Sequence, residues 1–186
     1  LHDDTLRTTY MGEVSDKPSN IAAYMKFEKG DVEKGFAAAD VVVEREFETA
    51  SVHQGYIEPH NATAFWNTDG QLNIWCSTQG SFVVRANTAD VLRHPVSKIK
   101  ITPMEIGGGF GGKVSFYLEP VAALLSKKTR QPVKLLMGRT EVFEGSGPAP
   151  GTWMRIKVGA NKDGKITAAK ATLAFEAGAY PGSPVM

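Results

Sequence analysis

The stretch that decides the reading of this chain is EIGGGFGGKVSF, Glu105 to Phe116. Gly107, Gly108, Gly109, Gly111 and Gly112 leave the backbone nearly bare, interrupted only by Phe110. Each glycine loses more conformational freedom on folding than alanine would, up to about 1 kcal/mol in a regular element. Such a cluster serves either a tight turn with positive φ angles or the close approach of something bulky, and its density here favours the second. Two nucleotide loops can be written over these letters. Gly107 to Lys113 satisfies G-x-x-x-x-G-K, but a P-loop then needs Ser or Thr to ligate magnesium, and Val114 stands in that place. Gly107, Gly109 and Gly112 also satisfy G-x-G-x-x-G, yet a dinucleotide site needs an acidic residue about 20 positions on. The chain there reads TRQPVK.

Composition narrows the function classes. The chain has 186 residues, 42% of them apolar and 22% charged, enough for a packed core and too apolar for a disordered tract. Lys plus Arg (21) nearly balances Asp plus Glu (20), so no field draws in nucleic acid or an anionic membrane. Cys76 is the single cysteine, which rules out an internal disulfide and fits a reducing, cytoplasmic setting. No apolar run approaches the roughly 20 residues of a membrane-spanning helix. The opening LHDDTLRTTY is polar and acidic where a signal peptide would be basic and then apolar. The first residue is not Met and the last lie in an apolar stretch, so an excised piece of a longer protein is expected.

Working outward from the loop, KIKITPMEI (98–106) reads as the strand before it and LEPVAALLSKKTR as the helix after it. Pro120 suits that helix's first turn, Val121, Leu124 and Leu125 are expected to face inward, and Lys127 and Lys128 suit the last turn. Upstream, residues 62–67 and 71–77 form an expected hairpin about Asp69-Gly70. A helix of about twelve residues follows, with Ser81 as cap, Phe82, Ala86, Ala89 and Leu92 as its stripe, and Pro95 as its end. Residues 31–40 suggest a short helix capped by Asp31, and 41–49 a strand with Val43, Arg45 and Phe47 on one face. Residues 53–61 read as irregular, 132–138 as a strand, and 145–151 as a loop. A last hairpin turns at Lys162-Asp163-Gly164, and a short extended stretch is expected near Ala22–Phe27. The pattern predicts an α+β fold: mixed sheets with antiparallel hairpins and two strand-loop-helix units.

Two pieces now stand together. STQ (77–79) ends one strand, GGGFGGK (107–113) follows the next, and a helix lies between. In this order and spacing the pair resembles the molybdenum-cofactor-binding subunit of the xanthine dehydrogenase and aldehyde oxidoreductase family. KGDVEKGFAAADVVVEREFET, YIEPHNATAFW, GQLNIWCSTQ and AFEAGAY carry the resemblance over roughly residues 28–180. It implies that residues 36–186 are part of a molybdopterin-binding domain; residues 1–35, with Gly12, Pro18, Gly30, Gly35 and many charges, read from their composition as a linker or edge segment. It implies a molybdenum hydroxylase that oxidises an aldehyde, N-heterocycle or aromatic substrate with oxygen drawn from water.

The resemblance also assigns residues. Gln79 matches the glutamine that lies over the metal, where a neutral amide can donate without adding charge beside an anionic group. Gly109, Phe110 and Gly111 match the part of the loop that lies against the cofactor, where backbone amides form a nest for anions. Val114 matches a substrate-pocket position that is often glutamate in xanthine-oxidising members. An apolar side chain cannot hydrogen-bond a purine, so an aldehyde or aromatic substrate is favoured. The family's general-base glutamate sits in a Gly-x-Gly-Glu segment that has no match here, so no catalytic residue is expected in this chain and it should be inactive alone. Iron–sulfur clusters and FAD are expected on other domains or subunits, with the remainder of the molybdenum subunit as a further partner. The rivals are a non-catalytic scaffold descended from such a domain and a nucleotide-binding module.

Other candidates weigh less. Gln79 could instead be an exposed amide capping the helix at 81. His53, Glu58 and His60 fit no standard metal-ligand spacing, and a solvated loop or supporting role is expected of them. Cys76 reads as a core residue. Lys113 could reach an anion or stand on the surface, and the sequence leaves both open.

Overall fold

A computed structural model describes residues 21 and 24–178. Its elements run α1 (Val32–Ala37), β1 (Val41–Thr49), β2 (Asn61–Trp66), β3 (Leu72–Cys76), α2 (Ser81–Leu92) and β4 (Ile99–Pro103). They continue with α3 (Glu119–Thr129), β5 (Val133–Leu136), α4 (Arg139–Gly145), β6 (Thr152–Ala160) and β7 (Ile166–Phe175). This is the expected α+β class. The elements group into two compact units, residues 52–149 and the described parts of 1–51 and 150–186.

The unit of residues 52–149 carries the glycine loop. Its four-stranded sheet has the order β4-β3-β2-β5. β2 pairs antiparallel with β3 through the anticipated Asp69-Gly70 turn, where Gly70 takes φ +84°. Parallel pairing of β3 with β4 requires a crossover, and α2 supplies it. β5 completes the sheet antiparallel to β2. Alternate residues of β2 and β3 (Ala62, Ala64, Leu72, Ile74 and Cys76) point to one buried face, as the period of two requires. Against it lie Val84 and Ala89 of α2 and Ala122 and Ala123 of α3. Burial and the nearby Glu119 push the Cys76 thiol up, so it is an inert core residue, as expected.

α3 turns a different face inward from the one its large residues suggest, and α2 does so in part: Ala89 is buried and Leu92 packs against the core as anticipated, but Phe82 and Ala86 do not. Phe82 is 81% exposed, Ala86 is exposed, and the buried positions of α2 are Val84, Thr88 and Ala89. Val121, Leu124 and Leu125 of α3 are exposed, while Ala122, Ala123 and Ser126 pack inward. Small side chains let each helix axis sit close to the sheet, and the bulky ones are left outside. Ser81 does not cap α2 either: the N-cap is Gly80, with no side-chain hydrogen bond. Pro120 and the two terminal lysines of α3 are where the pattern put them. The sequence pattern does not announce α4. Its first turn is closed by Glu141, whose carboxylate accepts from the Gly138 N–H at 2.6 Å.

The other unit is a three-stranded antiparallel sheet, β1-β6-β7, with α1 packed on one side. Asp31 caps α1 as anticipated, accepting from the Lys34 N–H at 2.9 Å. Glu44 and Glu46 stand directly across from Lys157 and Arg155 and pair with them, which pins the register. The opposite face carries Val43 beside Val158, Phe47 beside Met154 and Leu173 beyond it. Val43, Phe47 and Leu173 are about half exposed. The extended stretch expected at Ala22–Phe27 lies partly outside the described residues, and Tyr24–Phe27 join no strand.

Candidate functional site

The glycine loop leaves the C-terminal end of β4, and the Ser77-Thr78-Gln79 segment leaves the end of the parallel β3 beside it. Parallel neighbours put both segments at one edge of the sheet, the usual place for a ligand in such a layout. The two are directly bonded. Gln79 Oε1 accepts from the Gly111 N–H at 3.0 Å and the Lys113 N–H at 3.2 Å. The Gln79 N–H donates to the Lys113 carbonyl at 2.9 Å, and the Thr78 hydroxyl donates to the same carbonyl at 3.1 Å. Gln79 is therefore no helix cap: its amide clasps the loop. Two N–H donors aimed at one end of the carboxamide fix which end is oxygen. The other end, Nε2, donates to no described residue.

Bare backbone is needed at several points of this contact. A Cβ on Gly109 would lie 2.4 Å from Gln79 Oε1, one on Gly112 2.7 Å from Tyr56 Cε1, and one on Gly107 2.7 Å from Glu58 Cβ. The Gly112 N–H donates to the Gly109 carbonyl at 2.8 Å, closing a turn over Phe110 (φ +50°) and Gly111 (φ +88°). Two positive φ values in the central positions mark a type I′ turn. Glycine accepts that geometry freely, but for phenylalanine it is strained. Phe110 is 74% exposed, so no core packing repays the strain. Val114, half-buried, lies under the start of α2, where its carbonyl and Cγ1 crowd Gly80.

Lys113 does not stand on the surface, and the anion it reaches is the chain's own Glu58 carboxylate. Its side chain is fully buried, and Nζ pairs with Glu58 Oε2 at 2.6 Å. Oε2 also accepts from the Gly107 N–H at 2.7 Å, and Oε1 accepts from Asn61 Nδ2 at 3.2 Å. Partial burial works to raise the Glu58 pKa. The Lys113 ammonium, the Gly107 N–H and the Asn61 amide outweigh it and hold the carboxyl below its ordinary value. A lysine so committed cannot cradle a phosphate, and α3 begins only at Glu119, so neither nucleotide loop is built here.

Residues 53–61 are irregular as expected but not a solvated loop. Tyr56 is buried, its hydroxyl 2.7 Å from His60 Nε2 and 3.3 Å from Ser146 Oγ. His53 Nδ1 accepts from the Gly55 N–H at 3.0 Å, and its Nε2 lies 3.1 Å from Ser146 Oγ. Arg139 donates to the Tyr56 carbonyl at 3.0 Å and also to the Ile57 carbonyl. Burial, then the charges of Lys113 and His53, push the His60 imidazole down to about 4, against a smaller upward pull from Glu58. Among the described residues no cluster of His, Cys, Asp and Glu is arranged to hold a metal ion. Sequence reasoning missed Tyr56, Ser146 and Arg139. The bonds that join Arg139 and Ser146 to residues 53–57 span 82 to 93 positions along the chain, beyond any local pattern.

The chain matches the molybdopterin cofactor-binding domain over residues 14–186, and it belongs to that family. It is 34% identical over 162 residues to the nicotinate dehydrogenase large molybdopterin subunit of Eubacterium barkeri, covering 87% of this chain and 38% of that one. It is 34% identical over 157 residues to the xanthine dehydrogenase/oxidase of Gallus gallus, covering 83% of this chain and 12% of that protein. Among solved structures, the aldehyde oxidoreductase of Desulfovibrio gigas superposes with a TM-score of 0.61 and 27% identity, over 78% of this chain and 16% of that chain. The chain thus spans well under half the length of these relatives. Two features of its own atoms are compatible with an anionic, oxygen-bearing group: Gln79 Nε2 is a donor that bonds to no described residue, and beside it the turn leaves open space at Gly111, where an added Cβ would meet nothing within 4 Å.

Proposed function

We propose that this chain forms part of the cofactor cradle of a molybdenum hydroxylase, with Gln79, Gly109, Phe110 and Gly111 facing the molybdenum–pterin group. When bound, that group supplies two-electron oxidation of an activated C–H bond, with water as the source of oxygen. The observation that carries the reading is the anchoring of Gln79 Oε1 by two loop N–H groups, which leaves Nε2 as a donor with no partner among the described residues. A neutral donor stabilises an anionic oxygen without bringing a competing charge. Gly109 lets the loop close onto that amide, and the turn holds Phe110 out from the protein surface.

Val114 gives the pocket side an apolar wall that offers a purine nitrogen no partner. This favours an aldehyde or aromatic substrate, although the relatives' names include nicotinate and xanthine as well as aldehyde. Iron–sulfur and FAD domains, the remainder of the subunit and a cytoplasmic location complete the reading. The general base lies outside this chain, so the chain alone should turn over no aldehyde or purine.

Metal and pterin analysis of the full-length protein tests this. Stoichiometric molybdenum with pterin is expected, together with faster oxidation of aldehydes than of xanthine. Absence of both, under conditions that load a related enzyme, would leave the non-catalytic scaffold as the better account. Efficient xanthine oxidation by the wild-type enzyme would remove the role given to Val114.

A further inference from the structure

We infer that Glu58 is the positioning residue of the glycine loop, one carboxylate oxygen holding both of its ends and thereby setting the amide of Gln79. The inference rests on the cradle reading above for its functional meaning, though its geometry stands without it. Oε2 of Glu58 accepts from the Gly107 N–H at 2.7 Å, where the loop begins, and from Lys113 Nζ at 2.6 Å, where it ends. The remaining oxygen accepts from Asn61 Nδ2 at 3.2 Å, and Asn61 in turn donates to Ser77 Oγ at 3.2 Å. Glu58 is thus fixed from the segment that leads to Gln79.

Lys113 joins the two halves. Its Nζ belongs to Glu58, its backbone N–H donates to Gln79 Oε1, and its carbonyl accepts from the Gln79 N–H and the Thr78 hydroxyl. If Lys113 shifts, the amide of Gln79 loses one of the two donors that orient it. The turn at Phe110 then also loses its restraint, and a bulky residue at positive φ persists only where its surroundings over-determine it. A buried ion pair is weak evidence for stability, because desolvation offsets most of the attraction. Apolar residues could fill the same space. Keeping the pair makes sense where one charge must fix a backbone N–H at one end of the loop and a side-chain ammonium at the other at hydrogen-bond precision, and the segment from Gly107 to Lys113 has almost no other side chains to do so.

The test uses the full-length subunit with its native partners and compares wild type with Glu58→Gln, Glu58→Asp and the double variant Glu58→Gln/Lys113→Met. The double variant leaves no unpaired buried charge, so it should fold even where Glu58→Gln alone does not. In cofactor-free protein, amide exchange at Gly111 and Lys113 should quicken about tenfold or more in the double variant, while Ala64 and Ile74 in the core exchange as in wild type. In loaded enzyme, the paramagnetic resonance signal of the half-reduced metal should change, and kcat should fall about tenfold at nearly constant KM. Glu58→Asp keeps the charge and should recover part of both. A folded double variant with wild-type exchange at Gly111 and a wild-type signal would overturn the inference. Quickened loop exchange in the double variant of a protein whose wild type takes up no molybdenum would uphold the clamp while ending the cradle reading, so the two failures are distinguishable.

Discussion

A methyl group placed on Gly109 would stand 2.4 Å from the Oε1 atom of Gln79, inside any permitted contact. That oxygen is already held by the Gly111 and Lys113 N–H groups, so it has no free direction in which to retreat. Gly109→Ala should therefore expel the carboxamide from the loop. Two hydrogen bonds at a partly exposed site cost about 1–3 kcal/mol in all, which a folded protein tolerates. The larger effect is expected on the cofactor: molybdenum and pterin content of the full-length subunit should fall about tenfold or more, a loss that about 1.4 kcal/mol of differential binding already produces. Metal analysis against thermal midpoint reads the two effects separately. Full loading of Gly109→Ala would show that Gln79 does not need its present place.

Gly111→Ala probes a different cost two residues along. An added Cβ there meets nothing within 4 Å, so no atom is displaced. The residue has φ +88°, and an L side chain at positive φ costs about 1–2 kcal/mol. A lower thermal midpoint is expected together with reduced molybdenum and pterin content, since the added methyl enters the open space that the cradle reading gives to the group. Full loading of Gly111→Ala would show that the group does not reach the open space beside Gly111. The substitution thus maps how near the group comes.

The fold was largely legible because its signals are local. Asp69-Gly70 and Asp163-Gly164 mark hairpins by turn chemistry alone, and Pro95 and Pro120 bracket two helices. Helix phase was not legible. Size and hydrophobicity pointed to Phe82, Leu124 and Leu125, yet the sheet accepted Ala122, Ala123 and Ser126, while Ala89 met it as its place in the stripe required. Close approach of a helix to a sheet rewards small residues, and the relatives' greater length leaves room for other chain to meet the large ones. The adjacency of Gln79 and the loop could be anticipated from two motifs at the ends of neighbouring strands. The Glu58–Lys113 pair could not, since its members lie 55 residues apart and neither sits in a recognisable spacing.

Ser126 shows how much a small buried residue can carry. Its hydroxyl donates to the Gln131 carbonyl at 2.7 Å and accepts from the Trp66 N–H at 3.0 Å, tying the end of α3 to the end of β2. The residue is fully buried. Ser126→Ala would leave one backbone donor and one backbone acceptor unsatisfied, at about 1–3 kcal/mol each where water cannot enter. Denaturant unfolding should show a loss of about 2–4 kcal/mol. An unchanged midpoint would mean that water or a shifted backbone satisfies both groups.

His60 should make stability depend on pH. In the unfolded chain its imidazole is protonated below about 6.5, whereas in the folded protein burial and the Lys113 and His53 charges keep it neutral down to about 4. Between those values unfolding takes up a proton, so stability rises with pH through that window and is fully present above about 6.5. The span corresponds to up to about 3 kcal/mol. Glu58 acts in the same direction at lower pH: its depressed carboxyl contributes stability that is lost as pH falls through the folded value. Urea midpoints measured near pH 5 and pH 7 should differ clearly for wild type and much less for His60→Asn, in which no imidazole is left to titrate. Equal pH dependence in the two proteins would mean that His60 is protonated in the fold, with the Tyr56 hydroxyl as its acceptor.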